Sequence, residues 1–100
     1  MYIVTNRVPV AESHAEMFEE RFRNRAGQIN KQPGFVRMQI LKPQTSDTPY
    51  LVQTTWESKE AFEGWVGSED FKIAHSNPMP KEAFDDEGKL EMFDVIIDTE

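Results

Sequence analysis

The sequence contains no cysteine. This absence excludes a disulfide framework, an iron–sulfur cluster, a zinc–thiolate site and a catalytic thiol. Histidine is almost as scarce, because His14 and His75 are the only two in a chain of 100 residues. Any chemistry that needs an imidazole must therefore use one of these two side chains.

Long apolar runs are also missing. No stretch approaches the roughly 20 residues that span a bilayer, and Met1–Arg7 lacks the basic start and apolar core of a secretion signal. We therefore expect a cytoplasmic protein without a membrane partner. Hydrophobic residues make up 38% and charged residues 29% of the chain. This composition is typical of one globular domain, which we place at 1–100.

Runs of five or more Lys and Arg do not occur, and the formal net charge is −7. The charge is uneven, because residues 1–42 carry seven basic and four acidic side chains whereas residues 43–100 carry four basic and fourteen acidic ones. A chain of this sign repels phosphate backbones, so we expect no nucleic-acid partner. If the protein binds an anion, the basic segment with Arg21, Arg23 and Arg25 is the candidate binding site.

The spacing of apolar residues predicts four strands and three helices, the last two of which form one interrupted helical segment. Tyr2–Val8 is rich in β-branched and aromatic residues and predicts a first strand. Ser13–Glu16 has the S-x-x-E form of a capping box and predicts the start of a long amphipathic helix that reaches about Ile29. Further strands are predicted over 35–41, 50–56 and 90–99, and helices after Ser58 and Ser68, the second of which ends at His75 before a loop over 77–88.

The order βαββαβ predicts an α+β fold of the ferredoxin-like type, with helices on one face of an antiparallel sheet. Apolar residues nevertheless occur on both faces of the predicted strands, since Leu51 adjoins Val52 and Ile96 adjoins Ile97. The second face of the sheet is most easily buried against a copy of itself. We therefore predict a homodimer, a dimeric α+β barrel.

The two histidines differ in their surroundings. His14 lies in the predicted capping box, where the helix dipole disfavours a cationic imidazole, so a solvated surface role is favoured. His75 follows the apolar stretch Phe71–Ala74 and precedes a proline-rich loop. Two interpretations of His75 remain open: a half-buried surface histidine, or an axial ligand, since neutral imidazole is the usual protein donor to heme iron.

Trp65 and Asn6 also carry two interpretations each. Trp65 shares a predicted helix face with Phe62 and Val66, for which a place in the core is the default. Asn6 interrupts an apolar strand, where asparagine is a poor strand former. Its side chain either faces solvent or lies in a pocket, where its carboxamide could donate a hydrogen bond to a polar ligand atom.

Three stretches together resemble a known family. Glu20–Arg25, Thr55–Ser58 and Phe62–His75, taken with Asn6-Arg7 in the first strand, look like the IsdG-type heme-degrading monooxygenases. These enzymes belong to the antibiotic biosynthesis monooxygenase (ABM) superfamily of dimeric α+β barrels. The similarity covers nearly the whole chain in order, and its most specific part is the Asn–Trp–His triad, matched by Asn6, Trp65 and His75.

The resemblance implies a role for each member of the triad. His75 would ligate the heme iron on the proximal side, and Asn6 would hydrogen-bond the axial oxygen species on the distal side. Trp65 would press on the macrocycle and hold it out of plane, which is a known means of tuning heme chemistry. Heme would then be both substrate and oxygen-activating cofactor, with O2 as co-substrate.

Other residues would bind the heme. Arg21 and Arg25 lie four apart and share a helix face, from which either could meet a heme propionate, although ordinary salt bridges with glutamates explain them equally simply. Phe22 and Phe71 are candidate pocket walls or core residues. The loop after His75 departs from well-known members of the family, which leaves product regiochemistry and release open.

The resemblance therefore predicts a heme oxygenase that opens the porphyrin ring and releases iron and a bilin-type product. An external electron donor, a reductase or a small reductant, is needed because the sequence has no Gly-rich dinucleotide fingerprint. Two alternatives remain. One is a cofactor-independent ABM monooxygenase that acts on an aromatic or quinol substrate, and the other is a non-enzymatic heme carrier or sensor.

Overall fold

The computed structural model describes residues 1–24 and 28–100. These residues form four strands, β1 (Tyr2–Val8), β2 (Phe35–Leu41), β3 (Tyr50–Trp56) and β4 (Lys89–Asp94). They also form three α-helices, α1 (Ala15–Arg23), α2 (Lys59–Val66) and α3 (Glu69–Ala74), and short 3-10 turns at Glu12–His14, Ile29–Lys31 and Lys81–Ala83. The α+β, ferredoxin-like prediction is confirmed. None of the helices within the described ranges is long and apolar enough to cross a membrane.

The strands form one antiparallel sheet in the order β2-β3-β1-β4, with β1 in the interior. Asn6 pairs with Val52 on one side and with Leu90 on the other. Side chains of paired residues point to the same face, and faces alternate along a strand. Asn6 therefore shares a face with the buried Val4 and Val8, the face that packs against the helices.

Two hydrophobic clusters lie between that face and the helices. One contains Trp65 of α2 and fully buried Trp56, and its other buried members are Tyr2, Val4 and Ile29. The indole N–H of Trp56 donates to Thr54 Oγ1 at 2.9 Å, so its polar atom is satisfied although the ring is excluded from water. The second cluster joins Val8 and Tyr50 to Phe18 of α1. The helices are thus attached to the sheet at two separate places.

The predicted caps had different outcomes. Ser58 and Ser68 are confirmed as N-caps, because their hydroxyls accept from the backbone N–H groups of Ala61 (3.2 Å) and Phe71 (3.1 Å). The capping box at Ser13 is wrong. Residue Ser13 belongs to the 3-10 turn before α1, and its hydroxyl is 2.9 Å from His14 Nδ1.

Two predicted boundaries also change. The last strand ends at Asp94 and not near Thr99. The Val95 N–H still donates to the Met1 carbonyl, but beyond this hydrogen bond the chain passes the end of β1 and finds no residue to pair with. The first helix ends at Arg23, and Ile29 lies in a separate 3-10 turn. Residues 25–27, between these points, lie outside the described part of the chain.

The turn before β2 requires glycine at position 34. Gly34 has φ +78°, and a Cβ there would overlap the Cβ of Ala61 in α2. Gly34→Ala should lower the free energy of unfolding by about 2–3 kcal/mol, the sum of left-handed strain and overpacking. The matched control is Gly64→Ala, where nothing lies within 4 Å of the added Cβ. The control should stabilise α2 by about 0.5–1 kcal/mol. Urea denaturation of both variants tests the pair, and equal stabilities would contradict it.

Glu19 connects α1 to the hairpin of β2 and β3. Its carboxylate accepts hydrogen bonds from the Tyr50 hydroxyl and from Arg23 Nη2 at 3.0 Å, and it lies 3.3 Å from Lys42 Nζ. The hydrogen bond from Tyr50 and the contacts with Lys42 and Arg23 lower the pKa of Glu19, against the opposing effect of its partial burial. Burial and the Glu19 carboxylate together raise the pKa of Tyr50 to about 12.

This contact predicts a loss of stability at high pH. In the unfolded chain Tyr50 titrates near 10, whereas in the folded protein its pKa is about 12. The contribution of the neutral phenol is therefore complete below pH 10 and is lost as the pH rises towards 12. Urea denaturation between pH 9 and pH 12 should show a shallower decline for Tyr50→Phe than for the wild type, with Glu19→Gln in between. Identical slopes for Tyr50→Phe and the wild type would refute the assignment.

Candidate functional site

A cleft of about 600 Å³ opens on the helix-covered face of the sheet. Its floor comes from β1 and β3, one wall from α1, and the other wall from the end of α3 and the loop that follows. The lining is mainly apolar, with a few polar groups, which is typical of a small-molecule site. The lining residues among those described are Asn6, Val8, Phe18, Arg21, Phe22, Gln28, Val52, Ile73, Ala74, His75, Asn77, Pro78, Met79 and Phe84.

Asn6 lies on the floor of this cleft. The alternation of β1 directs its carboxamide to the helix side of the sheet, and no helix covers it there. Asn6 is exposed to solvent and also lines the cleft, so the structure agrees with both interpretations that the sequence left open. A second cleft of about 580 Å³ shares Asn6, Val8 and Phe84 with the first and extends towards the segment from Asp85 to Gly88. The amide therefore lies between two openings.

His75 enters the cleft from the opposite wall. It is the C-cap of α3, and its Nδ1 is 2.8 Å from the carbonyl oxygen of Phe71. A carbonyl can only accept, so this hydrogen bond requires the proton on Nδ1. In a neutral imidazole with this tautomer, Nε2 carries the lone pair. The imidazole also packs against the Phe71 ring at a centroid distance of 4.1 Å and an angle of 30°. His75 thus presents at the cleft an imidazole of fixed orientation, whose Nε2 could act as a metal ligand.

α1 supplies a cation and an aromatic wall. Phe22 packs edge-on to Phe18 at 5.1 Å, and Arg21 donates from Nη2 to the carbonyl of Asn77 across the cleft. Arg21 is the one arginine or lysine among the described lining residues. In a chain of net charge −7, it gives the cleft a local positive group that an anionic ligand could contact.

The remaining predicted site residues lie elsewhere. Trp65 is 5% exposed and belongs to the core, with its ring edge-on to Phe71 at 5.5 Å. Neither Trp65 nor Phe71 is among the described residues that line the cleft; together they form the support beneath His75. Arg25 lies outside the described residues. The structure thus brings together Asn6, Arg21, Phe22 and His75.

Sequence reasoning missed two lining residues. Phe84 lines both clefts, and Gln28 lines the first. These residues lie in irregular segments, where spacing carries no information about which side chains meet. The described residues contain no group of three or more His, Asp and Glu side chains that could together hold a metal ion. His75 therefore stands as a single imidazole donor.

Comparison with known proteins places the chain in a family. Residues 1–77 match the family model "Antibiotic biosynthesis monooxygenase". A heme-degrading monooxygenase of Bacillus thuringiensis (strain Al Hakam) is 36% identical over 99 residues, which cover 95% of this chain and 90% of the relative.

Solved structures with the same fold include two with named activities. MhuD, a heme degrader from Mycobacterium tuberculosis solved with two hemes bound in its active site, superimposes with a TM-score of 0.83 at 28% identity and full coverage of both chains. SnoaB, a cofactor-independent oxygenase from Streptomyces nogalater, gives a TM-score of 0.74 at 25% identity, covering 97% of this chain and 94% of its own.

The family match covers more than half of the chain, and the curated relative exceeds 30% identity over nearly all of it. Both findings agree with the α+β architecture and with the resemblance carried by the sequence. The chain therefore belongs to the antibiotic biosynthesis monooxygenase family, and it is similar to a heme-degrading monooxygenase of Bacillus thuringiensis over nearly its whole length.

Proposed function

We propose that the protein is a heme-degrading monooxygenase that binds heme in the cleft through His75 and opens the porphyrin ring with O2. The observation that carries the proposal is the meeting of an oriented imidazole and an asparagine amide in one mainly apolar cleft. Curated relatives named for this activity support it. The products would be iron and a bilin-type tetrapyrrole, and an external reductant would supply the electrons.

The first step of the argument is the donor set. An imidazole whose Nδ1–H donates to a carbonyl can offer Nε2 to a metal, and the hydrogen bond to the carbonyl fixes the orientation of the ring. His75 satisfies this condition through Phe71. One histidine is sufficient for a metal that brings four nitrogen ligands with it, as heme iron does. The residues present therefore fit heme.

The second step concerns the periphery of the ligand. Heme carries two propionates, and guanidinium groups bind carboxylates well because their donors match the two oxygens. Arg21 lines the cleft, but its Nη2 already donates to the Asn77 carbonyl. We propose that Arg21 binds a propionate. Arg25, one turn further along the chain, is proposed for the same role on the strength of the resemblance alone.

The third step concerns what the residues do during the reaction. Bound heme would be the substrate and would supply the redox chemistry. His75 would hold it, and the amide of Asn6 on the floor of the cleft would donate a hydrogen bond to a polar ligand atom. The apolar walls at Phe22 and Val52 exclude water from the ring face. These contacts position and shield the ring, and the redox chemistry belongs to the porphyrin.

Trp65 enters the proposal beneath His75. Its indole lies edge-on to Phe71, and the Phe71 ring packs on the imidazole. Through these contacts Trp65 would support the position of His75. The direct pressure of Trp65 on the macrocycle that the resemblance implies stays a prediction, because Trp65 is not among the described residues that line the cleft.

A second candidate function has one observation in its favour. SnoaB, the cofactor-independent oxygenase, shares the fold at 25% identity. A cofactor-independent oxygenase on an aromatic or quinol substrate would use the same cleft, but it would not need His75 as a ligand. A third reading, a heme carrier or sensor, would need His75 without any turnover.

One experiment separates these candidates. Hemin is titrated into the purified protein while the Soret band is followed, and ascorbate is then added in air. The proposal expects binding at micromolar or lower concentration, followed by loss of the Soret band and release of iron to a ferrous chelator. Binding without loss of the band would leave the carrier. No binding would refute both heme functions and favour the cofactor-independent oxygenase.

We also propose that the protein acts as a homodimer. The sheet face that the helices leave open carries Ile3, Leu51 and Phe93, and Phe93 is 50% exposed. Beyond β4, Ile96 and Ile97 are 87% and 79% exposed. A second copy would bury these apolar residues by a two-fold, self-complementary contact. Light scattering at micromolar concentration tests this, and a monomeric mass would overturn it.

A further inference from the structure

We infer that the second cleft is a separate entrance to Asn6, through which a small uncharged molecule of the size of dioxygen reaches the amide while a larger ligand occupies the first cleft. This inference rests on the proposed function, which places heme in the first cleft and requires dioxygen. The second cleft has a volume of about 580 Å³, whereas a water molecule takes up only about 30 Å³ in the liquid. Space is therefore sufficient for a small molecule to enter.

The Asn6 side chain borders both clefts. Asn6, Val8 and Phe84 line the two of them, whereas Gly88 lines only the second. A Cβ built at Gly88 would be in ordinary van der Waals contact with Asn6 Oδ1, at 3.5 Å. The carboxamide therefore extends to the second cleft. A molecule that enters there meets the amide without passing the residues that line the first cleft alone.

The wall of the second cleft is attached to β1 by backbone contacts. Asp85 donates its N–H to the Pro9 carbonyl at 2.8 Å, and Phe84 forms an isolated β-bridge with Val10. Beyond these contacts the chain enters β4, which pairs with β1. The cleft is thus bounded by paired backbone on both sides. A small molecule can enter it without a rearrangement of the fold, as is usual for pre-formed sites.

The two clefts differ in the charge of their walls. Among the described residues, the second cleft is lined by the carboxylates of Asp85, Asp86 and Glu87 and by one cation, Lys81, and all four are exposed. The first cleft contains Arg21, and no Asp or Glu is among its described lining residues. Walls of one sign attract ligands of the opposite sign and repel those of the same sign. The first cleft therefore suits an anion, whereas the second disfavours anions and leaves an uncharged molecule unaffected.

The first test uses the heme-free protein and dissolved dioxygen, which is paramagnetic and accelerates the relaxation of nearby protons. In the wild type, dioxygen should enhance the relaxation of the Gly88 N–H and of the Asn6 side-chain amide. Glu87→Trp and Lys81→Trp place an indole at the opening of the second cleft, and both should reduce the enhancement. Glu82→Trp is the matched control, because Glu82 is exposed beside Lys81 and is not among the described residues that line either cleft.

The second test uses the hemin complex with an uncharged probe, carbon monoxide on the ferrous form, and an anionic probe, azide on the ferric form. In Glu87→Trp and Lys81→Trp, carbon monoxide should associate about three- to tenfold more slowly at unchanged hemin affinity, because access is reduced. Glu87→Lys should raise the azide association rate by about two- to fivefold through weaker repulsion and leave carbon monoxide unaffected. Asp47→Lys should change neither rate, since Asp47 is exposed between β2 and β3 and outside both described linings.

Three results would overturn the inference. One is a carbon monoxide rate equal to that of the wild type in both tryptophan variants, and another is an equal decrease in Glu82→Trp. The third is an equal response of carbon monoxide and azide to Glu87→Lys. If the wild type does not bind hemin, the proposed function fails, and the heme-free measurement then decides: relaxation that neither Glu87→Trp nor Lys81→Trp reduces would refute the entrance.

Discussion

Replacing His75 by alanine should abolish the nitrogen-ligand signature of the ferric hemin complex and reduce turnover by at least about 100-fold. The size follows because loss of a partner that merely orients a metal ligand costs about 10–100-fold in affinity or activity, and here the ligand itself is removed. Optical and electron paramagnetic resonance spectra of the hemin complex, with the rate of Soret loss under ascorbate, provide the measurement.

Two controls separate ligation from a change in the fold. His14→Ala removes the other histidine, which lies at the start of α1 and bonds Ser13 rather than the cleft, and it should leave both spectra and turnover unchanged. His75→Gly with added imidazole should recover part of the nitrogen-ligand signature, because His75 is exposed at an open cleft. A wild-type spectrum for His75→Ala would show that another group binds the iron.

Replacing Asn6 by alanine should leave hemin affinity nearly unchanged and lower turnover by about 100- to 1000-fold, the usual cost of removing one preorganised donor from a reacting centre. Asn6→Asp provides the sharper comparison, because it preserves the shape and removes the amide donor. If the hydrogen bond matters, the aspartate variant should lose at least as much activity as the alanine variant. Soret titrations and single-turnover rates separate binding from chemistry.

Asn30→Ala is the matched control for the loss of an asparagine. Asn30 is exposed in the turn Ile29–Lys31 and is not among the described lining residues, so its variant should behave as the wild type. If Asn6→Ala degraded heme at the normal rate, the amide would have no role in the reaction. If Asn6→Asp alone retained activity, steric support rather than hydrogen-bond donation would be the function of Asn6.

The sequence predicted those features that depend on local spacing. The strands at Tyr2–Val8 and Tyr50–Trp56 and the helix caps at Ser58 and Ser68 are confirmed. In each case the neighbours along the chain carry the cause: alternating side chains in a strand, or a hydroxyl three residues before the N–H that it accepts from.

The predictions are wrong where a contact with a distant residue or with a competing hydrogen-bond partner determines the local structure. The hydroxyl of Ser13 contacts the His14 ring rather than the N–H groups of α1, and the S-x-x-E pattern carries no information about that competitor. Similarly, the alternation of apolar side chains through Ile97 indicates which face each side chain occupies, but it carries no information about where the neighbouring strand β1 begins. Since β1 begins at Tyr2, which pairs with Asp94, the ladder has no partner for the residues beyond Val95.

The candidate site was predicted in part. Asn6 and His75 were singled out by residue type and by resemblance, and the fold brings both to one cleft. Trp65 matched the same pattern, yet the structure buries it behind Phe71. Position in a sequence motif does not specify depth in the core, because depth is set by how α2 and α3 pack on the sheet. Phe84 gave no signal at all, since it lines the clefts only through the way distant segments meet in the fold.

The interior position of β1 also constrains how the chain can fold. Tyr2 pairs with Asp94, so completing the sheet requires closure of a loop that contains almost the whole 100-residue chain. Contacts of such long sequence separation slow folding, and during synthesis β1 must wait with one edge unpaired until the segment of β4 has left the ribosome. The strand that carries Asn6 therefore gains its second neighbour in the sheet only after the segment of β4 has been synthesised.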